Sequence, residues 1–114
     1  MAVFVSNIVI EQGFDFDTTF ELEDSTTGEA LDLTDYTVTA QMRKTYTSSS
    51  ATNFTVQLVD ADSGELKISM DSDVTSNLKI GRYVYDIRLV SPSPEEAVSK
   101  AVEGSVLVRG GVTR

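Results

Sequence analysis

The sequence predicts an all-β fold, an antiparallel immunoglobulin-like β-sandwich of about seven strands with one short helical turn near residues 72–79. Two observations predict this class. Apolar and polar side chains alternate at every second position in several separate runs, as they do in strands that are buried on one face. Turn-forming residues separate these runs at roughly even spacing, which is typical of a sandwich or of a small barrel.

The alternating runs are rich in Val, Thr, Ile, Tyr and Phe, the residues that pleated, half-buried surfaces favour. In chain order the runs are FDFDTTFEL (14–22), YTVTAQMRK (36–44), FTVQLV (54–59), ELKISM (65–70), GRYVYDIRLV (81–90) and VEGSVLV (102–108). The most regular of them is GRYVYDIRLV, in which Tyr83, Tyr85, Ile87 and Leu89 share one face. We expect Tyr83 and Tyr85 to be core residues whose hydroxyls reach a rim or a partner.

Two turns share the same chemistry. Both EDSTTGEAL and DADSGEL have an early aspartate and end in Thr-Gly or Ser-Gly followed by glutamate. We expect a left-handed glycine, Gly28 or Gly64, to close each turn between antiparallel strands. The segment SDVTSNLKIG predicts the single helical turn, with Ser72 or Asp73 as its N-cap.

The length of 114 residues indicates one domain, residues 1–114, and is sufficient to bury a core. The sequence contains no cysteine and no histidine. Disulfides, thiolate metal sites and cysteine nucleophiles are therefore excluded, and the commonest general base and metal ligand is missing.

The net charge of −9 bears on the kind of partner. Such a chain repels phosphate backbones and anionic membrane surfaces, so we expect neither nucleic acid nor membrane as a partner. The acidity either serves solubility or complements a basic protein. The N-terminus lacks the basic region of a secretory signal, and no apolar run approaches the roughly 18 residues of a membrane helix.

Possible catalytic or metal-binding groups each have a more ordinary explanation. The stretch DADSGE (60–65) resembles the start of a calcium loop, but its glycine stands at the fifth position instead of the sixth, and a hairpin turn is the more ordinary explanation. The serines at 48–50 have neither a histidine nor a plausible lysine base nearby in the sequence. We therefore predict no catalytic residue, no metal or cofactor site, no small-molecule substrate and no enzymatic activity.

Four segments taken in order resemble a family. They are ALDLTDYTVTAQMRK, GELKISM, TSNLKIGRYVYDIRLV and VEGSVLV, and together they resemble small virion proteins of tailed bacteriophages. The similarity is greatest to the N-terminal domain of baseplate-upper-protein and tail-fibre-type chains, and to single-domain structural proteins of cyanophages. It covers about residues 8–114. Many relatives have glycine where this chain has Asp35, and aspartate tolerates left-handed geometry better than most residues.

The resemblance implies a β-sandwich that resides in a virion, is assembled in the host cytoplasm and has no catalytic activity. Its expected role is to dock on a larger tail, baseplate or capsid assembly as a connector or decoration. Its expected partners are other virion proteins and copies of itself.

Apolar sequence near both termini supplies candidate docking arms at residues 1–10 and 108–114. Either arm could add a strand to the sheet edge of a neighbour. The alternative is that both segments pair within the domain as its own edge strands. The candidate docking residues are Val3, Phe4, Val5, Ile8, Ile10 and Val112.

A second hypothesis is a carbohydrate-binding or receptor-binding module on the virion surface. Immunoglobulin-like sandwiches use the loops at one end for such binding. The polar loop TYTSSSATN (45–53) contains Tyr46, the one evident side chain for stacking against a sugar, and the chain has no tryptophan.

Overall fold

Two β-sheets pack face to face in the computed structural model, which describes residues 4–23, 28–92, 94 and 96–112. The strands are β1 (Phe4–Val5), β2 (Ile8–Glu11), β3 (Phe16–Glu21), β4 (Thr37–Arg43), β5 (Thr52–Asn53), β6 (Thr55–Asp60), β7 (Glu65–Met70), β8 (Gly81–Val90) and β9 (Val98–Arg109). A 3-10 turn spans Ala61–Ser63, and the short helix α1 spans Ser72–Thr75. The predicted all-β sandwich is confirmed.

The larger sheet has the order β1-β9-β8-β4-β5, with β2 following β1 along the same side of β9, and the smaller sheet has the order β3-β7-β6. Both β1 and β2 pair with β9 in parallel, so the sheet is not wholly antiparallel as expected. A hairpin forces antiparallel pairing only on strands that are neighbours in the chain. The first and last strands are separated by the whole domain, so alternation alone could not predict their relative direction.

The inward rows of the two sheets form one core. Strand β8 follows the predicted parity, since Tyr85, Ile87 and Leu89 are buried and Tyr83 is half-buried against the core. The hydroxyl of Tyr85 donates to the carbonyl oxygen of Ser6 at 2.6 Å. The hydroxyl of Tyr83 likewise donates to a backbone carbonyl, that of Lys79. Tyr85 is therefore a core residue as predicted, whereas Tyr83 is only partly buried, and both hydroxyls bond to backbone carbonyls within the chain.

The two predicted turn glycines adopt left-handed geometry, with φ of +74° at Gly28 and +71° at Gly64. The predicted N-cap of the helical turn is wrong. Asp71 caps α1, because its carboxylate accepts a hydrogen bond from the backbone N–H of Val74 at 3.1 Å. The helix is also shorter than predicted, since it ends at Thr75.

Asp35 has a φ of +66°, which is the left-handed geometry that the resemblance implied at this position. Left-handed backbone costs most L-residues about 1–2 kcal/mol, and β-branched residues are affected most. We expect Asp35→Val to lower the free energy of unfolding by about 1–2 kcal/mol. Asp35→Gly should change the free energy of unfolding by less than about 1 kcal/mol. The relief of backbone strain in the folded state offsets the greater conformational entropy of the unfolded chain. Urea unfolding of both variants checks this, and a tolerated valine would contradict it.

Burial raises the pKa of Tyr85 above its ordinary value of 10.0. The folded state therefore favours the neutral phenol. The stabilisation is complete below about pH 10 and is lost as the pH rises through the folded-state pKa. We expect the urea midpoint of the wild type to fall above about pH 10, and to fall less in Tyr85→Phe. The exposed Tyr46→Phe is the control and should retain the full alkaline fall. Equal slopes for Tyr85→Phe and the wild type would contradict the assignment.

Candidate functional site

The side of the larger sheet formed by β1 and β2 is a free edge, because both strands pair only with β9 among the described residues. We call residues 4–11 the N-terminal edge. Its outward side chains include Val5, which is 69% exposed, and Val9, which is 46% exposed. The segment 5–10 carries no charge. An edge with free backbone groups along an uncharged stretch can accept a further strand.

The other sheet edges are protected by ordinary means. Edge strand β3 carries Asp17 and Glu21 on its outward face, and edge strand β6 ends in Asp60. Edge strand β5 is only two residues long. Charge and shortness both discourage pairing with another chain. In the described part of the molecule, the N-terminal edge is therefore the best suited to strand addition.

Specific hydrogen bonds hold this edge at Ser6 and Asn7, the two residues between β1 and β2. The carbonyl of Ser6 accepts from the buried hydroxyl of Tyr85. The side-chain oxygen of Asn7 accepts from both the backbone N–H and the hydroxyl of Ser105, at 3.0 and 3.1 Å. At the end of β2, Glu11 and Arg109 form an ion pair at 2.7 Å. The edge is therefore an integral part of the sheet.

The predicted docking residues separate into two groups. Ile8 is 9% exposed and Ile10 is fully buried in the core of the domain, so their side chains cannot contact a neighbour. For these two residues, the docking expectation gives way to the alternative of pairing within the domain. Val5 and Val112 are exposed, and Val112 is 96% exposed. Val3 and the side chain of Phe4 lie outside the described residues.

The segment expected to form a C-terminal arm is also mostly part of the sandwich. Val108 is buried in the core, and the side chain of Arg109 pairs with β2. Gly111 is buried, and a Cβ there would lie 2.5 Å from the carbonyl oxygen of Gln12. The glycine therefore permits this close packing against Gln12. Val112, the last described residue of this arm, is almost fully exposed.

Tyr46 lies beside a shallow depression on the outer face of the larger sheet. Tyr46 is 82% exposed. Lys100 lies in the depression between Asp86 and Glu103, with Nζ 3.7 and 3.8 Å from their carboxylate oxygens. The cavity volume is about 120 Å³, whereas sites that enclose a small molecule measure roughly 300–1,000 Å³. The depression can contact the edge of a ligand and cannot enclose it.

The groups with shifted acidity do not form a reactive pair. Hydrogen bonds from the hydroxyl and backbone N–H of Thr34 lower the pKa of Asp32, which keeps this exposed carboxylate ionised. The phenol of Tyr85 is committed to Ser6. No group of three or more side chains among the described residues could hold a metal ion. Within the described ranges, no helix has the length and apolar character needed to cross a membrane.

The sequence matches no protein-family model and no curated protein. Solved structures give weak fold-level similarity. An internalin-like protein of Listeria monocytogenes aligns with 96% of this chain and 28% of its own length, at 12% identity and a TM-score of 0.45. A family 123 glycoside hydrolase of Clostridium perfringens aligns with 100% of this chain and 24% of its own length, at 12% identity and a TM-score of 0.46. The chain thus spans about a quarter of either protein, and similarity at this level does not extend to function.

Proposed function

We propose that this chain is a non-enzymatic structural protein of a tailed-bacteriophage particle. In this role it docks on a larger tail, baseplate or capsid assembly as a connector or decoration. The residue pattern that resembles phage virion proteins supports the class of particle. The observation that carries the docking role is the free N-terminal edge, which is uncharged from residue 5 to residue 10 and exposes Val5 and Val9.

The mode of docking that fits this edge is strand addition. A strand of a neighbouring protein would pair with the free backbone groups of β2 and continue the larger sheet. Val9 would then pack beside a side chain of the added strand. Backbone hydrogen bonds supply affinity in this mode and side-chain contacts supply specificity.

The first test is to locate the chain in purified particles. An antibody against the chain, imaged on intact particles, should bind at a defined and repeated position on the head, neck, baseplate or fibre. Mass spectrometry of the same particles should give a stoichiometric copy number. Failure to detect the chain in purified particles would contradict the proposal.

The second test addresses the edge. Val9→Asp places a charge beside the free backbone groups and should reduce incorporation into particles, as charged residues block edge pairing elsewhere. Val74→Asp is the matched control, because Val74 is an exposed valine in α1, outside both sheets. Both variants should remain folded. Equal incorporation of the two would contradict docking through the N-terminal edge.

A carbohydrate-binding or receptor-binding module is the second candidate, and the exposed Tyr46 beside Asp86 and Glu103 supports it. An aromatic ring with hydrogen-bonding groups nearby can bind one face of a sugar. NMR titration with host-surface glycans should then shift the signals of Tyr46, and Tyr46→Ala should abolish the shifts. A glycan concentration of about 10 mM would reveal binding even with a millimolar dissociation constant. An absence of shifts at that concentration would therefore exclude this function.

A further inference from the structure

The outward side chains of β2, β4, β8 and β9 form one surface, which we call the large-sheet face. Five of the nine basic residues of the chain lie on it, although the whole chain has a net charge of −9. The face carries three carboxylates, so its own net charge is +2. Its basic residues are Arg43, Arg82, Arg88, Lys100 and Arg109, and its carboxylates are Glu11, Asp86 and Glu103.

Several of these cations have partners and two do not. Lys100 and Arg109 form ion pairs within the face. Arg43 donates to the carbonyl oxygen of Ser48 at 2.6 Å. Arg82 and Arg88 are exposed and make no ion pair with any residue that the structure describes. These two guanidinium groups are available to an acidic partner.

The opposite side of the sandwich has the opposite charge. We call the outward side chains of β3, β6 and β7 the small-sheet face. It carries four carboxylates and a single cation, Lys67, for a net charge of −3. Its carboxylates are Asp17, Glu21, Asp60 and Glu65.

Three of these carboxylates are register partners across the smaller sheet. Glu65 on β7 lies opposite Glu21 on β3 and also opposite Asp60 on β6. Like charges placed directly opposite one another destabilise a sheet. A cation from outside the chain would relieve this repulsion, so the row is suited to meet a basic surface.

We propose that copies of this chain associate by placing the large-sheet face of one copy on the small-sheet face of the next. The inference rests on the proposed function in one respect, namely that a particle would contain many copies of this chain. Charges farther apart than about 8 Å are largely screened at physiological salt, so the charges of the two facing surfaces outweigh the total charge of the chain. The two surfaces differ, so the contact is heterologous and generates a ring or an open stack.

The association should be weak in isolation, since exposed ion pairs each contribute little. We expect a dissociation constant in the range of about 0.1–1 mM for the free chain, with repetition in an assembly providing the rest. Sedimentation velocity of the wild-type chain from micromolar to millimolar concentration should therefore show a concentration-dependent rise in mass. Sodium chloride at 1 M should abolish that rise.

Charge reversal tests which faces meet. The first variant, Arg82→Glu/Arg88→Glu, makes the large-sheet face acidic. The second, Glu21→Lys/Glu65→Lys, makes the small-sheet face basic. Each variant alone should lose at least about tenfold in association constant, because its two faces now have the same sign. An equimolar mixture should regain association, because each face of one variant then complements the other face of its partner.

The control variant Lys44→Glu/Lys79→Glu changes the charge as much as the first variant, at two positions off both faces. It should associate like the wild type. Loss of association in this control would show that net charge alone governs the effect. Loss in both face variants without recovery in the mixture would overturn the heterologous contact. A strictly monomeric wild type at millimolar concentration would overturn self-association altogether.

The outcome is separable from that of the proposed function. A chain that associates in this way but is missing from particles would leave the contact intact and remove the virion role. If the chain is found in particles but its face variants assemble normally, the virion role would stand and the contact between the two faces would be removed. Selective binding of the large-sheet face to an unrelated acidic protein, with no self-association, would also overturn the inference.

Discussion

Replacing Ile10 by alanine should lower the free energy of unfolding by about 2–5 kcal/mol, the usual cost of removing a fully buried isoleucine side chain. Ile10 is 0% exposed, and it lies opposite Val108, another fully buried residue, in the parallel pair of β2 and β9. Domains of ordinary stability have a free energy of unfolding of about 5–15 kcal/mol, so this loss would be a large fraction of the total.

The matched control is Val9→Ala on the same strand. Val9 is 46% exposed and points away from the core, so its truncation should cost less than about 1 kcal/mol. Urea unfolding followed by tyrosine fluorescence measures both changes. Equal and small losses for the two variants would mean that β2 leaves the sheet readily and acts as a detachable arm.

The difference between these two variants decides how the chain can dock. If Ile10 stabilises the fold and Val9 does not, the N-terminal segment cannot leave its own sheet to pair with a neighbour. Docking at this place must then use the free backbone edge and the outward side chains Val5 and Val9. A partner would add to the sheet without exchanging a strand with it.

Some of these elements could be predicted from the residues alone, and β8 is the clearest of them. Its ten residues alternate almost perfectly, with Val84 and Val90 as exceptions, so one parity was expected to be buried, and Tyr85, Ile87 and Leu89 are buried. Strand β5 could not be found in this way, because a two-residue strand has no alternation to read. The same limit applies to β1.

The position of the N-terminal segment shows a different limit. The sequence Ile8-Val9-Ile10 is apolar at every position, so pattern alone could not say whether it docks on a neighbour or on its own core. Its pairing with β9 depends on contacts across nearly the whole chain, such as Asn7 with Ser105. Local sequence carries no information about a partner that distant.

The charge separation between the two faces illustrates the same point. The alternation of β8 already places Arg82 and Arg88 on the side opposite the tyrosines. Only the registers with β4 and β9 show that Arg43 and Lys100 lie on the same surface. The opposition of Glu21, Asp60 and Glu65 likewise requires the registers of three strands.

Replacing Gly104 by alanine is the second change with a large expected effect. Gly104 lies opposite Tyr85 in the pair of β8 and β9, next to the two residues that separate β1 from β2. A Cβ at this position would overlap the carbonyl oxygen of Ser6 and lie 2.8 Å from its carbonyl carbon. The obstacle is backbone, so it cannot rotate aside as the end of a side chain could.

The cost has two sources. Forcing an extra methyl group into packed structure costs about 1–3 kcal/mol. Displacing Ser6 also removes the acceptor of the buried Tyr85 hydroxyl, and an unsatisfied buried polar group costs about 1–3 kcal/mol more. We therefore expect Gly104→Ala to lower the free energy of unfolding by about 2–6 kcal/mol.

Gly110→Ala is the matched control, because a Cβ there would meet only Ile80 Cδ1 at 3.5 Å and Gln12 Oε1 at 3.8 Å. Those are ordinary contacts, and that variant should stay within about 0.5 kcal/mol of the wild type. A double-mutant cycle of Gly104→Ala with Tyr85→Phe separates the two sources, since the phenylalanine has no hydroxyl to leave unsatisfied. The alanine should cost about 1–3 kcal/mol less in the Tyr85→Phe background. An equal cost in both backgrounds would show that the hydrogen bond from Tyr85 to Ser6 does not fix the N-terminal edge. The cost would then come only from the overlap of the new methyl group with the backbone of Ser6.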